Sequence, residues 1–100
     1  MMNVNNRVEA TLDLSGCKSL GEIHQRIKET LQFPDHYGCN WSAFWDSLRF
    51  DSPVEYIYVV GTETLSQQLG VRLGKMYEIL DRCRQERAGL GWSFGYEIVD

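Results

Sequence analysis

FPDHYGCNWSAFWDSL, residues 33–48, contains the stop and the start that organise this chain. Pro34 has no amide to donate and disfavours helical geometry in the residue before it, so a helix arriving from the N-terminal side must end here. Asn40 offers a side-chain oxygen to the orphan amides of a new helix, and Trp41, Phe44, Trp45 and Leu48 then fall at i, i+3, i+4 and i+7. The spacing predicts a helix from Trp41 to about Phe50, closed before Pro53.

Upstream, Val8, Ala10, Leu12 and Leu14 alternate with Glu9, Thr11 and Asp13, the period of two of a strand with one buried face. Ser19-Leu20-Gly21-Glu22 is a capping box, and Leu20, Ile23, Ile27 and Leu31 follow at helical spacing, which predicts a helix from Leu20 to Gln32. Downstream, VEYIYVV is β-branched and aromatic, the pattern of a strand covered on both faces. A second capping box, Thr64-Leu65-Ser66-Gln67, is read as opening a short helix that Gly70 interrupts. A longer helix follows, with Leu73, Met76, Leu80 and Cys83 on one stripe and Gly89 and Gly91 beyond its end. WSFGYEIV closes the chain as a strand, with Trp92, Phe94, Tyr96 and Ile98 on one face. Strands separated by helical segments pair in parallel through right-handed crossovers. The expected class is α/β: one domain over residues 1–100, a small three-stranded parallel sheet packed by about four helices.

Composition narrows the functions. A hydrophobic fraction of 43% with 24% charged residues is that of an ordinary soluble domain. The start, MMNVNNRVEATLDL, lacks a signal peptide's basic and apolar regions, and the longest strongly apolar run is YIYVV, so neither export nor a membrane is expected. Cys17, Cys39 and Cys83 are odd in number and form no CxxC, which points to reduced thiols and a cytoplasmic location, without metal or cofactor. A net charge of -4 argues against direct contact with nucleic acid, which needs clustered Lys and Arg. Between Lys28 and Arg72 the only basic residue is Arg49, against Glu29, Asp35, Asp46, Asp51, Glu55 and Glu63. A basic partner suits that acidic middle.

Three chemistries compete for residues 33–48. His36 and Cys39 could pair as base and nucleophile of a small Cys-His hydrolase, but local adjacency in a turn supplies no orienting third group. Trp41, Phe44, Trp45 and Leu48 could be simply the packed face of a helix, and Phe44 and Leu48 are expected in the core. The third reading is recognition: a loop fixed by Pro34, Gly38 and Asn40 presents His36 and Tyr37, and the helix presents Ser42, Asp46 and Arg49. Aromatics around a desolvated charge are the usual make-up of a binding hot spot.

The same stretch closely resembles the central motif of the barstar family, approximately Leu-Pro-x-Tyr-Tyr-Gly-x-Asn-Leu-Asp-Ala-Leu-Trp-Asp-x-Leu. Pro34, Tyr37, Gly38, Asn40, Ala43, Trp45, Asp46 and Leu48 are kept. The resemblance implies that the loop and helix plug the active site of a ribonuclease, with Asp46 taking the place of the substrate phosphate. It also implies a partner-binding set of Asp46, Trp45, His36, Tyr37, Gly38, Asn40, Ser42, Arg49 and Trp41. His36 stands where the family usually has tyrosine, Ser42 where it has a second aspartate, and Arg82 where an acid is expected on the last long helix. With those departures, the expected partner is a basic ribonuclease or nuclease toxin other than barnase. The function implied is a non-enzymatic, bacterial inhibitor or immunity protein of toxin-antitoxin type. The alternative is a barstar-like interaction module without nuclease inhibition.

Overall fold

A computed structural model of the chain describes residues 7–99. Strand β1 (Glu9–Asp13) leads through helix α1 (Leu20–Leu31) and helix α2 (Trp41–Phe50) to strand β2 (Tyr56–Val60). Helix α3 (Gln67–Gly89) then returns the chain to strand β3 (Gly95–Ile98). The strands form one parallel sheet in the order β1-β2-β3, with Leu12 opposite Val59 and Ile57 opposite Tyr96. The α/β class and the parallel sheet expected from the sequence are both present.

The caps do what their chemistry predicts. Ser19 Oγ accepts from the Glu22 amide at 3.1 Å, and Glu22 Oε1 reaches back to the Lys18 amide at 2.6 Å, one residue earlier than a standard capping box. Helix α1 stops at Leu31, where Gln32 takes a left-handed conformation with φ 59 and its amide returns to the Lys28 carbonyl. Leu12, Leu14, Ile23, Ile27, Leu31, Phe44, Leu48, Ile57, Val59, Leu73, Met76 and Leu80 make the centre of a single core between helices and sheet.

Three expectations are corrected. Gly70 does not interrupt α3: the helix runs unbroken from Gln67 to Gly89, capped by Ser66 rather than Thr64, with Ser66 Oγ accepting from the Leu69 amide at 3.2 Å. A helical glycine costs about 1 kcal/mol, less than burying Leu69, Leu73 and Met76 against the core returns. Thr64 instead ends a short 3-10 turn, Thr62–Thr64, so the described residues hold three α-helices rather than about four helices.

Strand β2 is covered on one face only. Ile57 and Val59 are buried while Tyr56, Tyr58 and Val60 are half-buried, because sequential right-handed crossovers leave the helices on the same side of the sheet. The final strand is shorter than the WSFGYEIV pattern. The Trp92 amide bonds the Arg87 carbonyl at 2.8 Å as part of the α3 terminus, leaving its ring 63% exposed, and Ile98 is 49% exposed at the strand's end. Among the described residues no helix is long and apolar enough to cross a membrane.

Candidate partner-binding site

The loop before α2 is anchored from below. Phe33 is buried, its amide bonded to the Lys28 carbonyl at 3.0 Å, and the Tyr37 amide closes a turn onto the Pro34 carbonyl at 3.0 Å. Rings of Phe33, Tyr37 and Phe44 pack together at centroid distances of 5.0 and 6.1 Å. Cys39 then turns the chain with a left-handed φ of 55. Asn40 Oδ1 accepts from the Ala43 amide at 2.8 Å, while its Nδ2 donates to the Gly38 carbonyl at 3.2 Å. One side chain therefore caps α2 and ties it to the loop. A Cβ on Gly38 would meet that amide at 3.3 Å and Ala43 Cβ at 3.4 Å, which explains the small residue here.

Tyr37 differs from the sequence expectation. The loop does not present it: the ring is only 7% exposed, and its hydroxyl and His24 Nδ1 share a hydrogen bond of 2.6 Å. Burial pushes the phenol's pKa well above its ordinary value and the imidazole's below its own, so both groups are neutral. His24 is itself 1% exposed, lies 4.4 Å centroid to centroid from the Trp41 ring, and has no hydrogen-bond partner for Nε2 among the described residues. Sequence reading missed this residue, although Leu20, His24, Ile27 and Leu31 lie on one helical stripe.

Helix α2 divides cleanly. Phe44, Ser47 and Leu48 are buried; Trp41 and Trp45 pack partly against the core; Ser42 and Asp46 are exposed. Ser42, Trp45, Asp46 and Arg49 fall at i, i+3, i+4 and i+7 and share one face. The Asp46 side chain makes no hydrogen bond or ion pair with any described residue. The Arg49 side chain reaches α3: Nε donates to Glu86 Oε1 at 2.9 Å, and the guanidinium carbon lies 4.8 Å from the Trp45 ring centroid. A second guanidinium, Arg82 from α3, lies 4.7 Å from the same ring. Trp45 is thus fixed by both helices, with Asp46 beside it on a rigid element.

His36 and Cys39 are both exposed and share no hydrogen bond; Cys17 and Cys83 are buried, and burial raises the pKa of each of these two thiols. The described residues contain no group of three or more His, Cys, Asp and Glu able to hold a metal ion. A concavity of about 740 Å³ lies elsewhere, at the N-terminal end of α3 beside Lys18 and Leu20, and includes none of the predicted site residues. The predicted site residues on α2 border only a smaller concavity of about 190 Å³, lined by Trp41, Ser42 and Trp45 with Lys75, Glu78, Ile79 and Arg82 of α3.

The helix that carries Asp46, Trp41 and Trp45 thus belongs to a small α/β domain of three parallel strands and, among the described residues, three α-helices. The family model described as Barstar (barnase inhibitor) matches residues 8–98, and the chain belongs to the barstar family.

Proposed function

We propose that this chain is a non-enzymatic inhibitor that blocks the active site of a basic ribonuclease with the loop 33–40 and helix α2, acting in the cytoplasm as the immunity partner of a nuclease toxin. Asp46 takes the position of the scissile phosphate. A ribonuclease must carry cations where charge develops on phosphorus, and a carboxylate held among them satisfies those cations while excluding RNA. The single observation that carries this reading is Asp46 itself: exposed, without an intramolecular ion partner among the described residues, and mounted beside a tryptophan pinned by two guanidiniums. A carboxylate left free on a rigid support loses little conformational entropy when a cation meets it.

The other contact residues divide by exposure. His36, Gly38, Asn40 and Ser42 are exposed around Asp46 and meet the nuclease directly. Tyr37 acts from beneath by holding the loop, Trp45 supports Asp46, Trp41 offers the part of its ring that the core leaves uncovered, and Arg49 fastens α2 to α3 through Glu86. Family membership supports a ribonuclease as the target, since the family's description names a barnase inhibitor. The test is capture of a ribonuclease by the tagged chain from its own host, followed by RNA cleavage with and without the chain. Stoichiometric silencing is expected, and cleavage that continues at full rate in the presence of saturating chain rejects the proposal.

A further inference from the structure

Helices α2 and α3 diverge to leave a groove of about 190 Å³ lined by Trp41, Ser42 and Trp45 on one side and Lys75, Glu78, Ile79 and Arg82 on the other. Its floor is apolar: Ile79 is buried and both indoles are packed partly against the core. Its α3 lip carries Lys75, Glu78 and Arg82, two positive charges against one negative. Lys75 lies 3.8 Å from Glu78 on the same helix, an exposed pair of little strength, so its charge remains largely available.

Arg82 is different from most arginines in the molecule. Arg7 pairs with Glu9, Arg49 with Glu86 and Arg84 with Asp81, while Arg26 donates to the Asp13 carbonyl and Arg87 to the Leu48 carbonyl. Among the described arginines only Arg72 and Arg82 have a side chain without an ion pair or hydrogen bond, and of these only the Arg82 guanidinium lies over an aromatic ring at the site. Arg82 is exposed and its donors are unused within the described residues, and a guanidinium that lies over an indole can still form a bidentate pair with a carboxylate.

We infer that the α2/α3 groove receives an acidic side chain of the partner ribonuclease, seated on Trp41, Trp45 and Ile79 and held by Arg82 with help from Lys75. This rests on the inhibitor reading and adds to it the charge pattern of the partner: a cationic centre for Asp46, flanked by a carboxylate for Arg82. An apolar occupant would cover Arg82 without satisfying it, and a cationic one would meet two positive charges, Arg82 and Lys75, against the single carboxylate of Glu78, which Lys75 already approaches at 3.8 Å. Opposite charges side by side on one face also fix the register of docking and reject nucleases whose site is ringed only by cations.

The experiment uses the ribonuclease that the tagged chain captures, purified and titrated with wild type, Arg82→Ala, Arg82→Glu and Asp46→Ala. Arg82→Ala is expected to weaken binding by about thirtyfold and Arg82→Glu by more, the range for truncating one member of a covered charge pair. One Asp→Lys or Glu→Lys substitution on the nuclease surface should restore binding to Arg82→Glu while weakening binding to wild type. Thermal melting of the Arg82 variants, which change an exposed residue, should stay near wild type. If Arg82→Glu binds as well as wild type or better while Asp46→Ala is weakened, the groove inference falls and the inhibitor reading stands. If Asp46→Ala binds normally and Arg82→Glu does not, the groove inference stands and Asp46 loses its assigned role. Normal binding by both variants overturns both.

Discussion

Replacing Tyr37 by phenylalanine removes one oxygen and keeps the ring that packs between Phe33 and the loop. The lost group is the hydroxyl that shares a 2.6 Å hydrogen bond with His24 Nδ1, an imidazole only 1% exposed whose Nε2 already lacks a partner among the described residues. With the imidazole almost wholly shielded from solvent, the variant is expected to bear the desolvation penalty of a stranded polar atom, about 1–3 kcal/mol, rather than the smaller net worth of an average hydrogen bond. For a domain of this size about 2 kcal/mol lowers the melting temperature by roughly 8–16 °C. Thermal and urea unfolding at pH 7.5 measure it. The same reasoning makes the double variant Tyr37→Phe/His24→Leu less unstable than Tyr37→Phe alone, because it leaves no polar atom to strand. A Tyr37→Phe variant within about 0.5 kcal/mol of wild type, or a double variant less stable than the single by more than a cavity effect, would refute the claim that this pair is a dry, coupled anchor.

Three further outcomes are expected. Burial depresses the His24 pKa below its ordinary 6.5, so the unfolded chain binds the proton first; stability is full above about pH 6.5 and declines as pH falls below it. Urea titrations at pH 7.5 and 5.5 should show that loss in wild type and a reduced loss in His24→Gln. Asn40→Ala removes the bonds to the Ala43 amide and the Gly38 carbonyl together, and should cost about 1–2 kcal/mol in unfolding as well as weakening nuclease binding. Gly61 has φ 81 and a Cβ there would lie 2.6 Å from the Ser15 amide nitrogen, so Gly61→Ala should destabilise by about 2 kcal/mol or more, read from the urea midpoint.

Local chemistry was the legible part of this fold. Ser19, Pro34 and Asn40 act through neighbours in sequence, and they set the ends of α1 and the start of α2 within a residue. The core stripes of α1 and α2 follow from spacing alone. Gly70 misled because its cost is local while the gain that overrides it, packing of Leu69, Leu73 and Met76, is tertiary. Trp92 misled for a similar reason: alternation placed it on a strand face, but its amide is committed to the end of α3.

Within the candidate site, the placement of Asp46 and Trp45 on neighbouring positions of α2, one exposed and one half-buried, follows from the helical phase. The direction of Tyr37 was not, because it depends on His24, thirteen residues earlier and on another helix. The Arg49 to Glu86 and Arg82 to Trp45 contacts join α2 to α3 across more than thirty residues, and no spacing rule connects such positions. Those cross-helix contacts decide which side-chain charges at this face are left without an intramolecular partner among the described residues.

The most direct measurement is the dissociation constant of Asp46→Asn for the captured ribonuclease beside that of wild type, at low and at moderate salt. Asparagine preserves the size and the exposure of the side chain and deletes only the charge, so folding stability should be unchanged. The account predicts an affinity loss of at least about thirtyfold, the 2 kcal/mol of a binding hot spot, together with a weaker dependence on salt. An asparagine variant that silences the nuclease at the wild-type concentration and with the wild-type salt dependence would contradict it.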